Sequence, residues 1–166
     1  RRYVRPRARH MTRPSLVCVE NTHNGAGGKI VPLSEMRAIR AFATEFGLPV
    51  HLDGARLWNA SIASGVPLED FAAAADTVMV AFSKGLGAPI GAAVATSADM
   101  ADELWRIRKR FGGAMRQSGI ITAGALYGLE HNMARLADDH ANARAFAGLV
   151  DGAGGVGGLD HALGGL

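Results

Sequence analysis

The sequence predicts an α/β fold: a mostly parallel sheet with flanking helices. Three observations predict it. Short apolar runs of strand length alternate with stretches of helical periodicity about ten to fifteen residues long, the spacing of βαβ units. Polar residues stand just past the last apolar residue of three of those runs, at Glu20 and Asn21, at Asp53, and at Ser83 and Lys84. Functional groups gather at the carboxyl ends of parallel strands in such sheets. Glycine-rich loops, Asn21 to Lys29 and Ser83 to Gly91, follow the first and third of these strands and allow backbone to approach a ligand closely.

Taken in order, Leu16-Val17-Cys18-Val19-Glu20 reads as a short buried strand, with Cys18 as a small buried apolar group on it. Ser34 is a candidate N-cap with Glu35 in the first turn, and Met36, Ile39, Ala43 and Phe46 recur at helical spacing until Gly47 ends the run. Leu48-Pro49-Val50-His51-Leu52 makes the next strand, with Pro49 tolerated near its start. Helical segments are expected around Ala55 to Ala63 and Leu68 to Ala74, before the strand Thr77 to Phe82. Gly91 to Thr96 is strand-like, and Ser97 is placed to cap a charged amphipathic helix reaching about Phe111. A long helix is expected from Gly119 to Leu136, with His140 to Leu149 continuing or following it. Gly148 to Leu166 is glycine-rich without strand or helix pattern and predicts a loosely ordered tail. The expected organisation is an arginine-rich segment over 1–13, a sheet-bearing region over 14–147 and the tail over 148–166.

The chain has 166 residues, 48% of them apolar and 20% charged, as in a soluble globular domain. The formal charge is +3, yet the first thirteen residues hold six arginines and no acid, which leaves the remainder mildly acidic. That end reads as a solvated tail rather than a nucleic-acid arm. One cysteine excludes an intramolecular disulfide and fits a reducing, cytoplasmic setting, and no apolar run approaches the ~18 residues of a membrane span. No secretory h-region is seen, and the absence of a first methionine predicts a fragment of a longer protein.

The lysine turn carries the chemistry. A lysine drawn into a small, glycine-lined, apolar turn is expected to be desolvated, which favours the neutral nucleophilic amine that Schiff-base chemistry requires. The order Ser83-Lys84-Gly85 inverts that of a Walker loop, so a nucleotide cradle is not indicated. The plainer readings are a surface lysine in a turn for Lys84, a helix N-cap for Asp53, and a structural salt bridge for Arg56. His51 reads as a satisfied strand histidine, while His23 and Asn24 either line a pocket or shape their loop. His131, His140 and His161 lack the spacing of a zinc site, so no metal is expected. Arg106 to Arg110 reads as a solvated helix face apart from Lys109.

Several motifs occur together: Glu20-Asn21-Thr22-His23-Asn24-Gly25, His51-Leu52-Asp53-Gly54-Ala55-Arg56, Ser83-Lys84-Gly85-Leu86-Gly87-Ala88-Pro89, Gly112-Gly113-Ala114-Met115-Arg116-Gln117-Ser118-Gly119, and Asp139-His140-Ala141-Asn142-Ala143-Arg144. In this order, over about His10 to Ala147, the chain resembles the low-specificity L-threonine aldolases, pyridoxal-phosphate enzymes of fold type I. The resemblance implies part of the large cofactor domain of such an enzyme. It implies that Lys84 holds pyridoxal 5'-phosphate and that Asp53 pairs with the pyridinium nitrogen. Arg56 would lie near the cofactor's phenolic oxygen and the substrate carboxylate, and His10 near the substrate hydroxyl as a base. Lys109 and Arg116 match family cations close to the active site, in part reaching it across a subunit boundary, where they would suit the cofactor phosphate or the substrate carboxylate. Ala114 departs from the glycine more usual at its place.

The implied activity is retro-aldol cleavage of threonine, allo-threonine or related β-hydroxy-α-amino acids to glycine and an aldehyde. The partners implied are a small amino-acid substrate and a second copy of the chain in a homo-oligomer, with no nucleic acid and no membrane. The family's phosphate-binding loop, its ring-stacking histidine and its small C-terminal domain have no counterpart here. A non-catalytic, truncated remnant is therefore a second expectation, and exposed sheet edges would favour aggregation or partner recruitment. Another lyase or aminotransferase of the same fold is a third, which the Gly112 to Gln117 stretch argues against.

Overall fold

The computed structural model describes residues 4 and 9–152. Four strands form one sheet in sequence order: β1 (Val17–Glu20), β2 (Val50–Gly54), β3 (Thr77–Ala81) and β4 (Ala92–Thr96). β1 and β2 are parallel with Glu20 opposite Asp53, and β2 and β3 are parallel with Asp53 opposite Met79. β4 returns antiparallel to β3, with Val94 opposite Met79. The physical reason is the connection: a parallel return needs a crossover of about a dozen residues or more, usually a helix, and the loop between Ala81 and Ala92 contains none.

Among the described residues six α-helices accompany the sheet: α1 (Leu33–Glu45), α2 (Leu57–Ser64), α3 (Leu68–Ala72), α4 (Ala98–Arg110), α5 (Gly119–Tyr127) and α6 (Leu136–Gly152). Side chains alternate across a strand, so β2 divides its residues between two faces. Val50 and Leu52 are buried, and Leu52 packs with Met36 of α1, Leu57 and Ala60 of α2, Phe71 of α3 and Val78 of β3 to make the core. His51 and Asp53 lie on the other face, half-buried, and His51 Nδ1 is 2.7 Å from Thr77 Oγ1, the satisfied strand histidine that was expected.

At the amino ends of the strands, Asp76 ties three elements together. Its carboxylate pairs with Arg40 of α1 and accepts from the Val50 amide at 2.7 Å, and its carbonyl accepts from Thr96 Oγ1 at 2.9 Å. The register is thus pinned at the end opposite the polar rim.

Several expectations are corrected. Cys18 is exposed, because β1 is an edge strand and Cys18 points away from the face that Val19 presents to the core. Ser34 lies inside α1, which starts one residue earlier after Pro32, and neither Pro32 nor Ser97 caps its helix with a side chain. The helix expected from Gly119 to Leu136 stops at Tyr127, passes through a π-helical turn over Gly128–Asn132 and gives way to α6. α6 continues to Gly152, so the first residues of the expected tail are helical; the rest of that tail, and most of the arginine-rich start, lie outside the described residues.

Candidate active site

The lysine turn is built backbone first. Beyond β3, the Phe82 amide donates to the Gly91 carbonyl at 2.9 Å, the Ala88 amide to the Phe82 carbonyl at 3.0 Å, and the Gly87 amide to the Lys84 carbonyl at 2.9 Å. Gly87 has φ +71°, the left-handed conformation that closes this turn and that glycine adopts without strain. Leu86 is fully buried and anchors the turn, while Lys84 is exposed. The burial expected for the lysine is therefore not supplied by this chain: the apolar side chain of the turn goes inward and the amine outward.

Helices hold the turn from below. Asn132 Nδ2 donates to the Leu86 carbonyl at 2.9 Å, and a Cβ on Gly128 would lie 2.5 Å from that same oxygen, so the π-helical turn sits directly against Leu86. A Cβ on Gly85 would meet Leu136 Cδ2 at 2.7 Å and Asn59 Oδ1 at 3.4 Å. Asn59 Nδ2 lies 3.0 Å from Nε2 of His140, and Trp58 Nε1 donates to the Ala81 carbonyl at 2.9 Å. His140 is buried, which pushes its pKa below the usual histidine range, with the Arg144 charge adding to the effect and Asp139 opposing it.

Asp53 lies at the carboxyl end of the neighbouring parallel strand. Its Oδ1 accepts from the Ala55 amide at 3.1 Å, the local turn expected of an aspartate opening a helical segment, and Oδ2 has no partner among the described residues. Arg56 follows it, half-buried at the start of α2 and likewise without a side-chain partner among the described residues. The carbonyl of Asp53 accepts from the Asn21 amide at 2.9 Å, and the Asn21 side chain bonds both backbone groups of Val31, at 3.1 and 3.2 Å. Thr22 is buried beside it, with its Oγ1 unpartnered among the described residues. In the loop, His23 Nδ1 accepts from the Ala26 amide, and Glu20 Oε1 accepts from the backbone amide of Asn24.

The structure places Asp53, Arg56 and Lys84 on the carboxyl-end rim of β2 and β3. It does not bring His10, Lys109 or Arg116 into bonded contact with them; all three are exposed, His10 in a turn before β1, Lys109 on α4 and Arg116 in the segment before α5. A cavity of about 270 Å3 adjoins the far end of the lysine loop, lined by Phe82, Ile90, Met115, Ile121 and, as its one charged group, Arg108. Arg108 also stacks 4.7 Å from the Trp105 ring. Sequence reasoning passed over it within a basic run; helical phase alone could have separated it from Lys109. Among the described residues no cluster of histidine, cysteine and carboxylate side chains could hold a metal.

An exposed amine, and a carboxylate oxygen and a guanidinium without partners among the described residues, all at one sheet rim, suit an aldehyde-bearing pyridine cofactor. The amine can bond to the aldehyde, the carboxylate can accept from the protonated ring nitrogen, and the guanidinium can face an oxyanion. The donor set thus fits pyridoxal phosphate on the ring side.

Comparison with known proteins agrees with this arrangement. The family model for beta-eliminating lyases matches residues 1–157. Low-specificity L-threonine aldolase 1 of Arabidopsis thaliana is 42% identical over 132 residues, 80% of this chain and 37% of its own length. The low specificity L-threonine aldolase of Escherichia coli K12 is 40% identical over 140 residues, 84% of this chain and 41% of its own. A Listeria monocytogenes crystal structure assigned as an L-allo-threonine aldolase superposes with a TM-score of 0.76 at 29% identity, covering 83% of this chain and 38% of that one. The chain thus spans about two-fifths of the length of these relatives. With a family match across nearly its whole length and an α/β sheet that superposes on a solved relative, the chain belongs to the beta-eliminating lyase family.

Proposed function

We propose that this chain carries the lysine-bearing part of a pyridoxal-phosphate-dependent aldolase that cleaves threonine, allo-threonine and related β-hydroxy-α-amino acids to glycine and an aldehyde. The observation that carries the proposal is the juxtaposition of Lys84 and Asp53 at the carboxyl ends of adjacent parallel strands, in a chain similar to L-threonine aldolases. Residues 14–147 are read as the cofactor-binding piece.

When bound, the cofactor supplies an electron sink for breaking the Cα–Cβ bond. The chain's own residues have separate tasks. Lys84 would hold the cofactor through its side-chain amine. Asp53, whose Oδ2 has no partner among the described residues, would accept from the ring nitrogen and keep it protonated. Arg56 binds the substrate carboxylate or the cofactor's phenolic oxygen. His10 takes the proton of the β-hydroxyl as the aldehyde leaves, and Lys109 and Arg116 add positive charge for the carboxylate.

The exposure of His10, Lys109 and Arg116 supports a site completed by further protein, from a longer chain or from a second copy. Phe111, Ile120, Phe146 and Leu149 are exposed apolar side chains on and beside α4 to α6, and they support association of copies. No described helix is long and apolar enough to cross a membrane, and the single cysteine supports a cytoplasmic setting.

The test is to incubate the protein with pyridoxal phosphate, reduce with borohydride and map the adduct, then assay acetaldehyde release from threonine. Label at Lys84 with acetaldehyde release supports the aldolase. Label without turnover identifies a cofactor-binding piece that is catalytically incomplete alone, and no label at Lys84 sinks the cofactor role.

A further inference from the structure

We infer that Asn59 and His140 act together as positioning residues for Lys84, with the Asn59 amide wedged between the His140 imidazole and the backbone of the lysine turn. The meaning of this inference for catalysis rests on reading Lys84 as the cofactor lysine; its geometry does not.

The Asp139 to Arg144 motif has no part in the chemistry above, yet it places a histidine where packing alone would take an apolar residue. Among the described residues of α6, Leu136, His140 and Ala147 are buried, and Leu136 and His140 are one helical turn apart on the same face. Leu136 touches Gly85 directly, and His140 reaches the same glycine through Asn59. Asn59 Nδ2, 3.0 Å from His140 Nε2, is a donor, so Nε2 is the unprotonated nitrogen of a neutral ring. Burial favours that neutral form; the charges acting on the ring, Arg144 and Asp139, belong to α6, and the side chain reaching it from α2 is uncharged.

The same Asn59 amide packs against Gly85, where a Cβ would come within 3.4 Å of Oδ1 and 3.7 Å of Nδ2. Its neighbour Trp58 meanwhile holds the Ala81 carbonyl at the end of β3. Consecutive residues of α2 therefore fix both the strand end and the turn that presents Lys84. A buried imidazole that lost this donor would be left with an unsatisfied nitrogen, which costs more than the bond itself contributes. The pair consequently favours one placement of the turn over looser ones.

The experiment is amide hydrogen exchange on the purified chain, read at Gly87 and Ala88, whose amides close the lysine turn. His140→Phe keeps a ring of similar size without the acceptor, Asn59→Ala removes the wedge from the other side, and His140→Gln retains a side-chain carbonyl able to accept from Asn59. Exchange at Gly87 and Ala88 is expected to rise about threefold to tenfold in the first two variants, the scale of one net hydrogen bond, with α1 amides unchanged. In His140→Gln it is expected to stay near the wild-type rate. Unchanged exchange at Gly87 and Ala88 in both His140→Phe and Asn59→Ala would overturn the inference, as would equal loosening in His140→Gln and His140→Phe. Asn59→Ala decides the matter if His140→Phe does not fold. Borohydride mapping on the same samples separates the two readings: a protected turn without label at Lys84 removes the cofactor role and leaves the clamp, whereas label with exchange indifferent to the variants removes the clamp alone.

Discussion

Gly85 and Leu136 are in such close contact that a methyl group on Gly85 would lie 2.7 Å from Leu136 Cδ2, and Leu136 is itself buried. Gly85→Ala should therefore destabilise the fold by about 1–3 kcal/mol through overpacking. Leu136→Ala alone should cost about 2–5 kcal/mol for the cavity it leaves. Because the clash is with the far end of a side chain, the two changes should compensate. Urea unfolding of both singles and the double is expected to show a double mutant less destabilised than the sum of its parts.

Gly128→Ala should behave differently, since the added methyl would lie 2.5 Å from the Leu86 carbonyl oxygen, a backbone atom. No single truncation makes room for it. Urea unfolding should show a larger loss than for Gly85→Ala and no rescue by Leu136→Ala. Asn132→Ala, which removes only the bond to that oxygen, should cost about 0.5–1.5 kcal/mol.

Lys84→Ala should separate chemistry from stability. Lys84 is exposed and has no side-chain partner among the described residues, so thermal or urea unfolding should change by no more than about 0.5 kcal/mol. Borohydride-fixed cofactor should vanish from the tryptic peptide in the same variant. A large loss of stability would contradict the outward placement of the amine.

Asp76 should make stability fall in acid. Its carboxyl is held below the usual range, first by the Arg40 hydrogen bond and then by the Val50 amide, with Arg40's charge adding to both and burial opposing. Because the folded value is the lower one, the contribution is complete above the ordinary carboxylate range and is lost as pH falls through the depressed folded value. Asp76→Asn should lower stability at neutral pH and flatten its decline at acid pH, as measured by urea midpoints across that interval. A decline just as steep in Asp76→Asn would assign the acid sensitivity to other groups.

What could be read from the sequence was what local pattern dictates. The alternation Val50, His51, Leu52, Asp53 gives β2 its two faces, and apolar spacing from Met36 to Ala43 gives α1 its buried side. The family-matched rim residues Asp53, Arg56 and Lys84 came out on the carboxyl ends of the parallel strands, where topology puts them. What could not be read depends on partners far along the chain. The π-helical turn at Gly128 is set by a carbonyl at Leu86, the outward amine of Lys84 by the inward fit of Leu86, and the work of His140 by Asn59. Cys18 was misjudged because apolar composition marks a strand without saying whether it lies at an edge.

The hydrogen bonds that seat the lysine turn join residues widely separated in sequence: Leu86 to Asn132 across 46 positions and Asn59 to His140 across 81. In synthesis the four strands, with Trp58 and Asn59, are complete before Asn132, Leu136 and His140 are added. The sheet can therefore form first, and the lysine turn gains its long-range contacts when the later helices close onto it. Long-range contacts of this kind form late because loop closure must be completed before they contribute. The order of synthesis thereby makes the fully braced lysine turn a report that the chain through His140 is present and folded.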